Sequence, residues 1–238
     1  MSTKIDLANT AQPFLDYLDE WYNTLPELPL AEVVGGEPER VAVISVDVIN
    51  GFCKSGALAS GRVGRIARPA ADVFERAYEL GVRNLALIQE AHHPQAVEFE
   101  AYPPHGIVGT EESEAVDELK ALPFFQEMAV FGKNTIHPSL DNNLDAWLAE
   151  RPVVDRFILL GDCSDICVYQ SAMHLKLQAN AANAARRVIV PADVVETFDT
   201  PVRVARQLGI KAHDGDLHHV LFLHHMAMNG IEVVRKLS

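Results

Sequence analysis

Cysteine is scarce in this 238-residue chain: Cys53, Cys163 and Cys167 are all there is. An odd, small count does not make a disulfide framework. The N-terminus lacks the basic-then-apolar pattern of a secretory signal, so we expect a cytoplasmic protein with free thiols. Long apolar runs are missing as well. The longest, such as residues 157–161, fall far short of the ~20 residues that span a bilayer. Positive charge is in deficit: 20 Lys and Arg stand against 33 Asp and Glu, a formal net charge of −13. That field repels phosphate backbones and anionic lipid, which argues against nucleic acid or a membrane as partner. No P-loop, no G-x-S-x-G elbow and no G-x-G-x-x-G after a strand occurs, so no organic cofactor is expected.

What is present is ordinary globular material, 48% apolar and 22% charged. Two periodicities alternate. Short β-branched runs predict strands at 41–46, 84–88, 128–131, 157–161, 188–190 and 231–234. Helical spacing predicts helices at 66–80, 111–122, 140–149, 166–179, 202–208 and 217–228. Near-continuous apolar strands separated by amphipathic helices predict a mostly parallel sheet of about six strands, buried on both faces. Right-handed crossovers then give a three-layer α/β/α sandwich. No linker divides residues 39–238, which we expect to form one domain. Residues 1–38 differ: Phe14, Leu15, Leu18, Trp21 and Tyr22 recur at helical spacing before Pro26 and Pro29, predicting a helical extension packed on the domain or on a partner subunit.

In open α/β sheets, ligands bind at the carboxyl ends of strands. Four such ends carry chemistry. Asp47 follows the first strand and could exchange a proton with a thiol, or simply cap a turn. Lys133 follows the third, where an ammonium would stabilise thiolate and carboxylate, although a lone lysine is usually solvated. After the fourth come Gly161-Asp162-Cys163-Ser164-Asp165-Ile166-Cys167-Val168. A thiol at a helix N-terminus gains acidity, and neighbouring N–H groups can hold an oxyanion; a free cysteine is also often just a buried apolar side chain. After the second strand, Glu90-Ala91-His92, then Glu98 and Pro103-Pro104-His105, offer mixed oxygen and nitrogen ligands suited to Zn, Mn or Fe. The histidines at 218, 219, 224 and 225 read as structural or surface groups.

Taken together and in this order, these motifs resemble the isochorismatase-like cysteine hydrolases, the superfamily that includes nicotinamidases. The resemblance covers residues ~40–238. It implies Asp47, Lys133 and Cys167 as catalytic residues, with Cys167 rather than Cys163 as nucleophile. It implies a cis Asp162–Cys163 peptide that aims N–H groups at the oxyanion. Phe52, Phe99 and Tyr102 become substrate contacts, and Glu90, His92 and His105, with Glu98 as an additional ligand, a divalent-metal site. An alternative register would place His93-Pro94 there instead. Ala91, Ile166 and Gly106 depart from the aromatic and cysteine residues frequent at those positions. The resemblance implies a cysteine-dependent amidohydrolase of small carboxamides, nicotinamide foremost, and assembly as a homo-oligomer. Alternatives are a hydrolase of maleamate or N-carbamoyl compounds, an isochorismatase-type hydrolase, and a non-catalytic scaffold on the same fold.

Overall fold

Strand residues 41–46 are buried on both faces, as an apolar run without polar alternation must be. Odd and even positions part company. Val41, Val43, Leu85, Leu87, Ile158, Leu160 and Ile189 enter one core with Ala70, Ala71, Phe74 and Ala77 of the helix Ala67–Glu79. Ala42, Ile44, Ala86, Ile88, Phe157, Leu159 and Val190 enter a second core with Val168, Ala172, Leu175, Leu223 and Met226 of the helices Cys167–Ala181 and Gly215–Met228. Three layers follow from that period of two.

The computed structural model describes residues 5–238, so the first four residues of the expected extension lie outside it. Its strands are β1 (Glu27–Leu28), β2 (Val41–Val46), β3 (Asn84–Glu90), β4 (Ala129–Lys133), β5 (Arg156–Asp162), β6 (Arg187–Pro191), β7 (Val195–Glu196), β8 (Glu232–Val234) and β9 (Lys236–Leu237). The main sheet runs β4-β3-β2-β5-β6-β8, with β7 beside β5, and every pairing is parallel. The expected count of about six becomes seven because Val195 and Glu196 pair with Gly161 and Asp162, beyond the end of β6. β1 and β9 form a separate parallel pair.

Two expected helices are corrected. In place of 111–122 there is a 3-10 turn at Glu111–Ser113, an extended stretch, and a short helix at Asp117–Lys120. Tertiary backbone bonds outcompete the helix: Asn50 N–H donates to the Glu114 carbonyl and Val116 N–H to the Val48 carbonyl. The helix expected at 140–149 is confined to Leu144–Ala149. Asn142 stops it, its amide donating to the Pro138 and Gly132 carbonyls while its oxygen accepts from Leu144 N–H.

Before β1 lies the helix Gln12–Asn23, which packs on Gly215–Met228. Phe14, Tyr17 and Trp21 set their rings edge-on around His224, at centroid distances of 5.8, 5.5 and 5.1 Å. No helix among the described residues is long and apolar enough to cross a membrane.

Candidate active site

β2, β3, β4 and β5 end side by side, and each delivers one titratable side chain to the same rim. Asp47 leaves β2 with a φ of +56°, a conformation uncommon for a side-chain-bearing residue. Its N–H donates to the Ile88 carbonyl and its carbonyl accepts from Ile49 N–H, so the turn is fixed from both sides. Its Oδ1 accepts from Glu90 N–H at 2.8 Å. Its Oδ2 forms an ion pair with Lys133 Nζ at 2.8 Å. Lys133 Nζ lies 3.5 Å from Cys167 Sγ. Ligand atoms of Asp47, Glu90 and Cys167 fall within 4.8 Å of one another, and all three residues are buried.

Between β5 and the helix Cys167–Ala181 the chain turns sharply. Gly161 has a φ of +121°, and a Cβ there would lie 1.9 Å from the Val46 carbonyl oxygen, so only glycine fits between the two central strands. The Asp162–Cys163 peptide is cis. The Cys163 carbonyl accepts from both Ile166 and Val168 N–H groups. Among the described residues neither the Cys163 nor the Cys167 N–H donates a hydrogen bond. Asp162 itself is fully buried, with neither carboxyl oxygen hydrogen-bonded among the described residues. Burial pushes its carboxyl well above the usual range, and the charges of Asp47 and Glu90 add to that shift.

Electrostatics across the rim are uneven. Burial raises the Asp47 carboxyl to about 6, with Lys133 pulling it down and Glu90 pushing it up. Burial would lower Lys133, but Asp47, Cys167 and Glu90 hold the ammonium well above its ordinary range. Burial pushes the Cys167 thiol up, and Lys133 opposes this. Burial thus favours the protonated sulfur and the Lys133 ammonium favours its anion, with the carboxylates of Asp47 and Glu90 beside both.

The metal-ligand candidates cluster as well: ligand atoms of Glu90, His92, Glu98 and His105 lie within 4.8 Å of one another. His92 is fully buried, yet among the described residues neither ring nitrogen has a hydrogen-bond partner, and Glu98 Oε1 is likewise buried and unpaired. His105 Nδ1–H donates to the Pro103 carbonyl at 2.7 Å, which leaves Nε2 as the bare nitrogen. That nitrogen lies 2.8 Å from Glu90 Oε2, with His92 Nε2 at 3.2 Å from the same oxygen. A neutral His105 ring would set its Nε2 lone pair against that carboxylate; a cation among the ligands removes the conflict. This oxygen and nitrogen set fits a divalent transition metal. His93 is exposed and its Nδ1 accepts from Gln95 N–H, so the His93-Pro94 register is not the one that gathers ligands.

Aromatic rings frame this cluster. Phe52, Phe99 and Tyr102 lie 5.7, 5.7 and 6.2 Å from the His105 ring, and Phe99 lies 5.4 Å from His92. Gly106, with a φ of +50°, brings the backbone against Glu90.

Two contacts lay outside the sequence reasoning. Asp165, next to Ile166, pairs with His213 at 2.8 Å. Ser164, next to the cis peptide, shares a hydrogen bond with His219. Separations of 48 and 55 residues leave no local signal for either pair.

Comparison with known proteins matches this architecture. The chain is 32% identical over 218 residues to nicotinamidase 1 of Arabidopsis thaliana, covering 83% of this chain and 86% of that protein. The N-carbamoylsarcosine amidase of Thermoplasma acidophilum superposes with a TM-score of 0.63 at 23% identity, over 82% of this chain and 96% of that one. The zinc complex of Pyrococcus horikoshii pyrazinamidase gives 0.63 at 18% identity, over 82% and 99%. The family model described as the isochorismatase domain matches residues 41–212, and the chain belongs to that family.

Proposed function

We propose that the protein is a cysteine-dependent amidohydrolase of small carboxamides, with nicotinamide as the leading substrate. The observation that carries this is the convergence of Asp47, Lys133 and Cys167 on one rim, with Nζ 2.8 Å from the carboxylate and 3.5 Å from the sulfur. The 32% identical Arabidopsis relative, named for nicotinamide hydrolysis, supports the substrate choice.

In the cycle, Asp47 takes the Cys167 proton as sulfur attacks the amide carbon. The free N–H groups of Cys163 and Cys167 hold the oxyanion, and Lys133 keeps carboxylate and sulfur in register. The C–N bond breaks, and Asp47 returns its proton to the departing ammonia. Water then attacks the thioester, Asp47 accepting its proton, and the carboxylic acid leaves as Cys167 regains its hydrogen. Phe52, Phe99 and Tyr102 supply apolar faces for a small ring.

Glu90, His92, Glu98 and His105 would hold a divalent ion of the Zn, Mn or Fe type. When bound, it supplies a Lewis acid that can orient a heteroatom or a water. Residues 39–238 form the catalytic domain of this reading, and 1–38 an extension fastened to it. A homo-oligomeric, cytoplasmic enzyme without an organic cofactor completes it.

Ammonia release from a panel of carboxamides tests the proposal. Nicotinamide turnover by the wild type, absent in Cys167→Ala, is the expected result. Turnover that survives in Cys167→Ala overturns the covalent scheme. N-carbamoyl compounds in the same panel separate the related small-amide hydrolase, and no turnover of any amide leaves the scaffold alternative standing.

A further inference from the structure

The turn that carries the two free N–H groups is held from a distance. Ser164 sits between Cys163 and Cys167, fully buried, and its N–H donates to the Glu196 carbonyl of β7 at 2.9 Å. Among the described residues its hydroxyl has one partner, His219 Nδ1 at 3.1 Å. The opposite nitrogen of that ring, Nε2, lies 3.4 Å from the Tyr22 hydroxyl, and the two rings meet edge-on at 5.7 Å. His219 is buried at 6% exposure, and the Glu196 carboxylate lies 3.9 Å from its Nδ1. Tyr22 is anchored in turn, because Arg235 donates to its carbonyl at 2.9 Å. The chain of contact therefore runs from the helix Gln12–Asn23 through Gly215–Met228 to the turn beside the cis peptide. Both arms, Tyr22 and His219, lie outside the stretch 41–212 that matches the family domain.

We propose that Tyr22 and His219 form a brace that positions the Ser164 turn, so that the N-terminal extension takes part in catalysis without touching substrate. His219 and Tyr22 are positioning residues. A ring bonded at both nitrogens cannot rotate, and Ser164 has no other side-chain anchor. The two N–H donors flanking it would otherwise sample orientations that miss an oxyanion, and small misplacements of such donors are costly. This rests on the amidohydrolase reading for its kinetic arm alone.

The test uses the full chain with His219→Leu, which keeps bulk and removes both bonds, His219→Asn, which restores one, and Tyr22→Phe. Three readouts run in parallel: kcat and KM on the best carboxamide, thermal melting, and amide hydrogen exchange of peptides covering the Ser164 turn. In His219→Leu we expect kcat to fall about tenfold with KM within about twofold, the scale of one hydrogen bond. Exchange at Cys163–Cys167 should quicken by roughly fivefold or more while the helix Ala67–Glu79 is unchanged. His219→Asn should recover most of both effects, and Tyr22→Phe should show a weaker version. Unchanged exchange at the turn in His219→Leu, or faster exchange across the whole molecule, overturns the brace. Should His219→Leu fail to fold, Tyr22→Phe decides by the same readouts. Should the wild type hydrolyse no carboxamide, the amidohydrolase reading fails while the exchange arm still judges the brace.

Discussion

Glu90 and Lys133 are register partners across β3 and β4, and Glu90 Oε1 lies 3.0 Å from Lys133 Nζ. One ammonium is thus shared by two carboxylates, since Asp47 lies 2.8 Å from the same nitrogen. The other oxygen of Glu90 faces His92 and His105. Lys133, with the two histidines, holds the Glu90 carboxyl well below the usual range against the opposing effect of burial. A single side chain therefore joins the Asp47–Lys133–Cys167 rim to the histidine cluster.

Lys133→Met strips the cation from between Asp47 and Glu90, leaving two buried carboxylates facing each other. Breaking a buried pair from one side costs about 3–5 kcal/mol. We expect a fall in thermal midpoint together with loss of amide hydrolysis. A variant as stable and as active as wild type would show that the ammonium is not needed at the rim.

Cys167→Ala removes a buried sulfur that has few polar ties. The melting temperature should change little, while kcat/KM should fall by at least about a thousandfold, as expected when a nucleophile is deleted. Iodoacetamide should modify wild-type Cys167, and bound substrate should slow that reaction.

In the proposed cycle Asp47 accepts the thiol proton only when ionised, and burial pushes its carboxyl up to about 6. Below that value it is protonated, so kcat/KM should drop on the acid side with an inflection near pH 6. The linkage has the opposite sign for stability. A folded-state pKa above the unfolded one means the contribution is complete below about pH 4 and disappears as pH rises through about 6. Activity and the Asp47 share of stability should therefore move in opposite directions over that interval. An acid limb near pH 4 would indicate that another group acts as base.

Metal content can be read without an activity assay. The summed Zn, Mn and Fe content by plasma mass spectrometry should approach one ion per chain, and His92→Ala should weaken binding of that ion by roughly a hundredfold or more in chelator competition. Equal affinity in the variant would remove His92 from the ligand set.

Phe74, on the helix Ala67–Glu79, is fully buried in one of the two cores. Phe74→Ala should destabilise the protein by about 3–5 kcal/mol with little change in the KM of the folded fraction. Chemical denaturation of the variant measures this directly.

Much of this was readable from the chain, for definite reasons. Residues 41–46 and 157–161 are apolar without interruption, and that pattern places them in the middle of a covered parallel sheet. Strand ends were harder to see. β3 continues through Gln89 and Glu90 and β4 through Gly132 and Lys133, because each completes the ladder of the other. Polar residues that extend a strand are invisible to a search for apolar runs. The same limit hid the second contact of Glu90, which depends on register rather than on composition. Residues 111–122 have helical spacing, but backbone partners from Val48 and Asn50 claim the segment. Ser164 and His219 meet across 55 residues, and no local pattern encodes such a meeting.

Gly161 and its contact with the Val46 carbonyl divide the rim into fixed and adjustable parts. Asp47 follows Val46 directly and Asp162 follows Gly161, so any attempt to retune selectivity from the strand ends would displace both of these buried carboxyl groups. Phe99 and Tyr102 sit instead on the loops between β3 and β4. Diversification aimed at new amides should therefore be confined to those loops, with the strand termini left untouched.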